Sequence, residues 1–187
     1  MDMNKLFKGL TVAGLIAFSG SSFAVTQDGT LDATSTGTVD IDVTIGDLIQ
    51  ISGLVPMTGT TYTPGGPVNY STPACVYRNS GAGYDVTATS STAGGAGANF
   101  LLNGTSANVV YTVNYNDGVT SGALTNGTLN ASFANANQTI ADCSIGAGGN
   151  VTVSVSIPEV GAGPLNGLAE VPADTYTDEL SILVAPR

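Results

Sequence analysis

A period of two runs through this chain. In Thr38-Val39-Asp40-Ile41-Asp42-Val43-Thr44-Ile45 the alternation is unbroken. Val39, Ile41, Val43 and Ile45 fall on one side of an extended backbone, and Asp40, Asp42 and Thr44 on the other. The same habit recurs in 109–115 and 151–157, and more loosely in 68–77, 84–89 and 176–185, with a weaker candidate at 129–133. Turn-forming clusters separate these runs: Gly46-Asp47, Asn79-Ser80-Gly81, Gly94-Gly95-Ala96-Gly97 and Asn116-Asp117-Gly118. Beyond residue 24 no stretch carries a helical period. The spacing predicts six to eight short strands in one antiparallel β-sandwich, and the 25 glycines and absent tryptophan suit many tight turns.

The first 24 residues read as an export signal. Lys5 and Lys8 form a basic start, Leu10 to Phe18 is an apolar run too short to span a bilayer, and Ser22-Phe23-Ala24 suits a signal peptidase. Removing Lys5, Lys8 and Asp2 takes the 4 basic and 14 acidic residues of the chain to 2 and 13, a net charge of −11. Only Arg78 and Arg187 remain as cations, so no basic face is available for nucleic acid or anionic lipid. No membrane insertion is expected once the signal is removed. An exported chain with two cysteines predicts a disulfide between Cys75 and Cys143.

The chemistry of catalysis is poorly represented. Histidine is absent and no lysine follows Lys8, which removes the usual general base and any Schiff-base amine. Asp40/Asp42 and Asp178/Glu179 are paired carboxylates, but charges on an alternating strand ordinarily form its solvated face. Asn114-Tyr115-Asn116-Asp117-Gly118 has the composition of a calcium loop without its spaced ligands, and reads as a hairpin turn. The expectation is a protein that is not an enzyme and needs no metal or cofactor.

Both ends of the chain resemble one family. Residues Thr38 to Ile51, an alternating run leading directly into Leu48-Ile49-Gln50-Ile51, are similar to the N-termini of major subunits of alternate (alpha-class) chaperone–usher fimbriae. Residues Ala173 to Val184, with Tyr176 and Asp178 before an alternating run, resemble the closing strand of that class and of archaic spore-coat-U-like pilins. The resemblance implies an incomplete immunoglobulin-like sandwich over 48–187, completed by a donor strand from the 25–47 extension of a neighbouring subunit. It implies that Val39, Ile41, Val43 and Ile45 fill a groove bordered by Leu180, Ile182 and Val184. It further implies a shaft subunit whose partners are identical subunits in a fibre and, during assembly, a periplasmic chaperone and an outer-membrane usher. The fimbria on the cell surface, reached through the periplasm, would be its location, and adhesion or biofilm formation its use. The ending Ala185-Pro186-Arg187 departs from the penultimate tyrosine of many such subunits, and no cysteine opens the first strand as in archaic relatives. The alternative is a secreted monomeric carbohydrate- or matrix-binding sandwich, which would need aromatic platforms from among the seven tyrosines.

Overall fold

A computed structural model describes residues 29–81, 83–92, 97–139 and 149–187. The expected export signal and Cys143 lie outside them. The chain divides between Ile45 and Gly46 into two units, and all the strands belong to the second.

Among the described residues nine strands follow in chain order: β1 (Ile49–Ser52), β2 (Val68–Arg78), β3 (Tyr84–Ser90), β4 (Phe100–Asn103), β5 (Asn108–Asn116), β6 (Ser121–Leu124), β7 (Leu129–Phe133), β8 (Val151–Ile157) and β9 (Leu180–Pro186). One turn of 3-10 helix, Leu168–Glu170, interrupts the long connection before β9. One sheet runs β1-β2-β8-β5-β4, with β4 on the first part of the outer edge of β5 and β6 on the second; the other runs β7-β3-β9. Every strand pairing is antiparallel. Among the described residues no helix is long and apolar enough to cross a membrane. The architecture is an all-β, immunoglobulin-like antiparallel sandwich that lacks a strand along one edge.

The alternation seen in the sequence is what builds the two layers. In β8, Val151, Val153, Val155 and Ile157 are buried while Thr152, Ser154 and Ser156 turn outward. In β3, Tyr84, Val86 and Ala88 are fully buried. The two sheets meet at an aromatic cluster drawn from both. Tyr84 of β3 stacks on Phe133 of β7 with centroids 6.1 Å apart, and Tyr115 of β5 meets Phe133 edge-on at 4.6 Å. The two tyrosine hydroxyls lie 3.1 Å apart and satisfy each other where water cannot reach. Burial pushes the Tyr84 phenol up to about 12.

Asp117 closes the sandwich beside this cluster. Its side chain is fully buried in the β5–β6 turn. One carboxylate oxygen accepts the backbone N–H groups of Val119 and Thr120, and the other accepts those of Ala134 and Asn135, just past β7. Burial pushes this carboxyl up, but the four backbone donors outweigh it and hold it below the usual carboxylate range. A hairpin turn was expected here, and it also fastens the end of β7.

Two features depart from the sequence expectation. Strands β4 and β6, four residues each, raise the number beyond the six to eight expected. The closing strand begins at Leu180 rather than Tyr176. Residues 177–179 instead pass from one sheet to the other. Thr177 exchanges backbone hydrogen bonds with Asn103 of β4 at 2.7 and 3.0 Å, and Ser91, just past β3, donates to the Glu179 carbonyl at 3.0 Å. Between them the Asp178 carboxylate accepts from the Tyr111 hydroxyl, Ser91 Oγ, and the backbone N–H and hydroxyl of Thr92. A segment spent on this crossing cannot also pair as a strand. Residues 39–48 take part in no strand pairing.

Candidate functional site

The site is an edge that the sandwich leaves open. β9 pairs with β3 on one side, and among the described residues no strand occupies its other side. β1 is the matching edge of the larger sheet, paired only with β2. These two edge strands lie beside each other without pairing.

The register of β3 on β9 exposes what is missing. Val86 stands opposite Val184 and Ala88 opposite Ile182, so each pair projects from the same face of the sheet. Val86 and Ala88 are 0% exposed, whereas Leu180, Ile182 and Val184 are only half-buried. The same step occurs in the other sheet, where Ile51 of β1 is half-buried opposite fully buried Val76. Within one strand spacing, about 4.8 Å, the core goes from closed to open on both layers. Ser181 and Leu183 point to the opposite face of β9 and are exposed. An unpaired backbone edge beside half-covered aliphatic side chains can accept one more strand: backbone groups would supply the ladder and the aliphatic row the pockets.

The apolar residues of the extension stand uncovered. Val39 is 66% exposed, Ile41 85%, and Val43 and Ile45 each 78%. Four β-branched side chains in one alternating row thus stand bare to solvent. Asp40 and Asp42 are exposed as well.

The root of the extension is held at Gly46-Asp47, the turn-forming pair that follows the alternating run. Asn79 Nδ2 donates to the Gly46 carbonyl at 2.8 Å, and the Leu48 N–H donates to Asn79 Oδ1 at 2.9 Å. The Asn79 N–H in turn donates to the Leu48 carbonyl at 3.2 Å. Between these, Arg78, 3% exposed, donates through Nε and Nη2 to both oxygens of Asp47. The same guanidinium reaches the carbonyls of Gly83 and Arg187, the latter at 3.0 Å. Bonding to Arg78 holds the Asp47 carboxyl below its ordinary range. Gly46 itself has no left-handed backbone, and a Cβ built there meets nothing within 4 Å. The sequence signal for this corner was an arginine, the only internal cation after Lys8, at the end of an otherwise uncharged strand.

Three other carboxylates are already committed, while Asp85 Oδ1 on β3 is buried without a hydrogen-bond partner among the described residues. The carboxylates of Asp117 and Asp178 are saturated with donors, and Glu159 accepts from the Tyr62 hydroxyl and the Gly65 N–H. All seven tyrosines are buried or half-buried, so none stands out as a flat platform. Cys75 in β2 is 2% exposed, and its expected partner, Cys143, lies outside the described residues.

No family model matches this chain, and no curated protein does. A search of solved structures finds a chain from work described as "Chaperone-tip adhesin complex is vital for synergistic activation of CFA/I fimbriae biogenesis". It is 16% identical with a TM-score of 0.49 over 74% of this chain, which spans 41% of the other.

Proposed function

We propose that this protein is the structural shaft subunit of a surface fimbria, polymerising by inserting its N-terminal extension into the open edge of the next subunit. The observation that supports this reading most is the single-strand step from fully buried Val86 and Ala88 to half-buried Val184 and Ile182, facing a vacant backbone edge. The same chain also carries an exposed row of alternating aliphatics with the spacing of a strand, Val39, Ile41, Val43 and Ile45. At about 1.5–3 kcal/mol per buried side chain, four anchors would contribute roughly 6–12 kcal/mol before the cost of ordering the segment. A subunit with an apolar edge of this kind needs covering before it meets its neighbour, the role of a periplasmic chaperone, and an outer-membrane usher would then exchange one strand for the other. The donor-saturated carboxylates of Asp117 and Asp178 and the lack of histidine support a structural role over a catalytic one, and sheltered tyrosines disfavour a monomeric carbohydrate-binding module.

Deleting residues 25–45 tests the reading. The truncated subunit is expected to bind a synthetic peptide spanning residues 36–46, to melt at a higher temperature with it, and to cap no neighbour. The same peptide with Ile41→Asp would place a charge in an apolar pocket and should bind weaker by several kcal/mol. Equal binding of the two peptides would refute the exchange.

A further inference from the structure

The corner built by Arg78 and Asn79 has a consequence for assembly, one that rests on the strand-exchange reading. We infer that Arg78 and Asn79 are positioning residues: they clamp 46–48, the residues that lead out of the domain, so that in the fibre the connection from one subunit to the next is short and stiff. The geometry has three parts. Asn79 binds the backbone on both sides of Asp47, through the Gly46 carbonyl and both backbone groups of Leu48. Arg78 binds the Asp47 side chain between them. Together they leave no freely rotating residue between Ile45 and the start of β1.

The second part is what Arg78 does on its far side. Its guanidinium also holds the carbonyl of Arg187, directly after β9, and that of Gly83, directly before β3. A buried planar fork thus ties the entry of β1 to the exit of β9, the two edges that border the opening. Asp85 on β3 adds a further negative charge favouring the guanidinium. These bonds hold the entry of β1 and the exit of β9 together at one end of the opening.

The third part is where motion is left. Gly46 adopts an ordinary backbone with open space around it, and its carbonyl is held. The chain is therefore free only before Gly46, and on the strand-exchange reading that stretch is held in the edge of the next subunit. A loose Gly46-Asp47 joint would let each subunit swing on the last, because tethered domains without a fixed connection move freely.

The test compares the unsubstituted full chain with Asn79→Ala and Asp47→Asn. In subunits filled with the peptide spanning 36–46, nuclear magnetic relaxation of backbone amides reads the clamp directly. The Asp47 and Leu48 amides should be as ordered as those of β2 in the unsubstituted chain, and that order should be lost in Asn79→Ala. Electron microscopy of fibres reads the consequence: persistence length should shorten about two-fold in both variants once the connection loosens. Amides at 46–48 as mobile as those at 39–44 in the unsubstituted chain would overturn the inference. So would variant fibres as stiff as the parent despite lost amide order. Arg78→Lys keeps the charge but not the fork, and fibres of unchanged stiffness in that variant would also count against the clamp. Failure of the strand-exchange reading shows separately, as an unsubstituted chain that binds no peptide and forms no fibre, and it takes the inference with it.

Discussion

Arg78 and Asp47 are joined side chain to side chain across 31 residues of chain, and the guanidinium that makes the bond is almost wholly buried. Apart from Arg187, Arg78 is also the only residue after Lys8 at which trypsin can cut. A buried, hydrogen-bonded arginine inside a strand cannot enter a protease active site without local unfolding. The folded protein is expected to survive trypsin at concentrations that cut the denatured chain at once. Rapid cleavage of folded material at Arg78 would show that the end of β2 opens readily.

The faces of β9 make opposite predictions for neighbouring residues. Ile182 is half-buried against the core and Ser181 points away from it. Ile182→Asp should destabilise the domain by several kcal/mol, through a charge in an apolar setting with no partner. Ser181→Asp should change stability by less than about 0.5 kcal/mol. Denaturant melts of the two variants, each filled with peptide, would measure the difference, and equal losses would mean that the register is wrong.

Acid should loosen the molecule through its buried carboxylates. Asp117 and Asp178 are both desolvated, which pushes them up, yet hydrogen bonds hold them below the ordinary value of 3.8. A folded-state value below the unfolded one means that their stabilisation is fully present above that ordinary value. It is lost as pH falls through the lowered folded values. Asp117→Asn puts an amide N–H₂ against backbone N–H donors and should cost about 3 kcal/mol. Equilibrium melts should show that loss at neutral pH and a smaller gap in strong acid, where Asp117 itself is protonated.

Alkali acts through the tyrosines with the opposite sign. Tyr84 is raised from 10.0 to about 12, chiefly by burial, and Tyr115 and Tyr111 are raised in the same direction for the same reason. A raised folded value means full stability below pH 10, falling as pH rises from there toward the folded values. The tyrosinate absorbance of these three should therefore appear in a step coincident with unfolding above pH 10. Smooth titration of all seven tyrosines in the folded protein would contradict the buried cluster.

Cys75 sits in the core at 2% exposure, and Cys143 is the only other cysteine of the chain. Their pairing should leave no thiol reactive in denatured, unreduced protein. Its reduction should remove about 4 kcal/mol, by the loop-entropy estimate for so wide a span. Two free thiols would rule the bridge out.

What could be read from residues alone was what repeats at short range. β8 and β7 fall on the expected residues, and β2, β3 and β5 within a residue at each end, because a two-residue period in β-branched and aromatic side chains is a local signal. Phe100-Leu101-Leu102-Asn103 and Ser121-Gly122-Ala123-Leu124 carry no such period. They become strands because the outer edge of β5 offers each of them a ladder. The corner at Arg78 and the cage around Asp117 were hidden for a related reason. Their partners lie 31 residues away in the first case and 17 or 18 in the second, and no spacing rule links them. The half-buried row on β9 could be named from its alternation, but its incomplete cover emerges only beside Val86 and Ala88.

The vacant edge of β9 has a consequence for mixtures. If a strand must come from elsewhere, each subunit has one giving end and one receiving end, and the two can be damaged independently. A subunit with Ile41→Asp could still accept its predecessor's strand but offer none that holds, so it would terminate one direction of growth. A subunit damaged at Ile182 would fold poorly and terminate the other, or never enter. Small amounts of the first kind, co-expressed with intact chains, should therefore shorten fibres in proportion to their share, as a chain terminator does in any linear polymer.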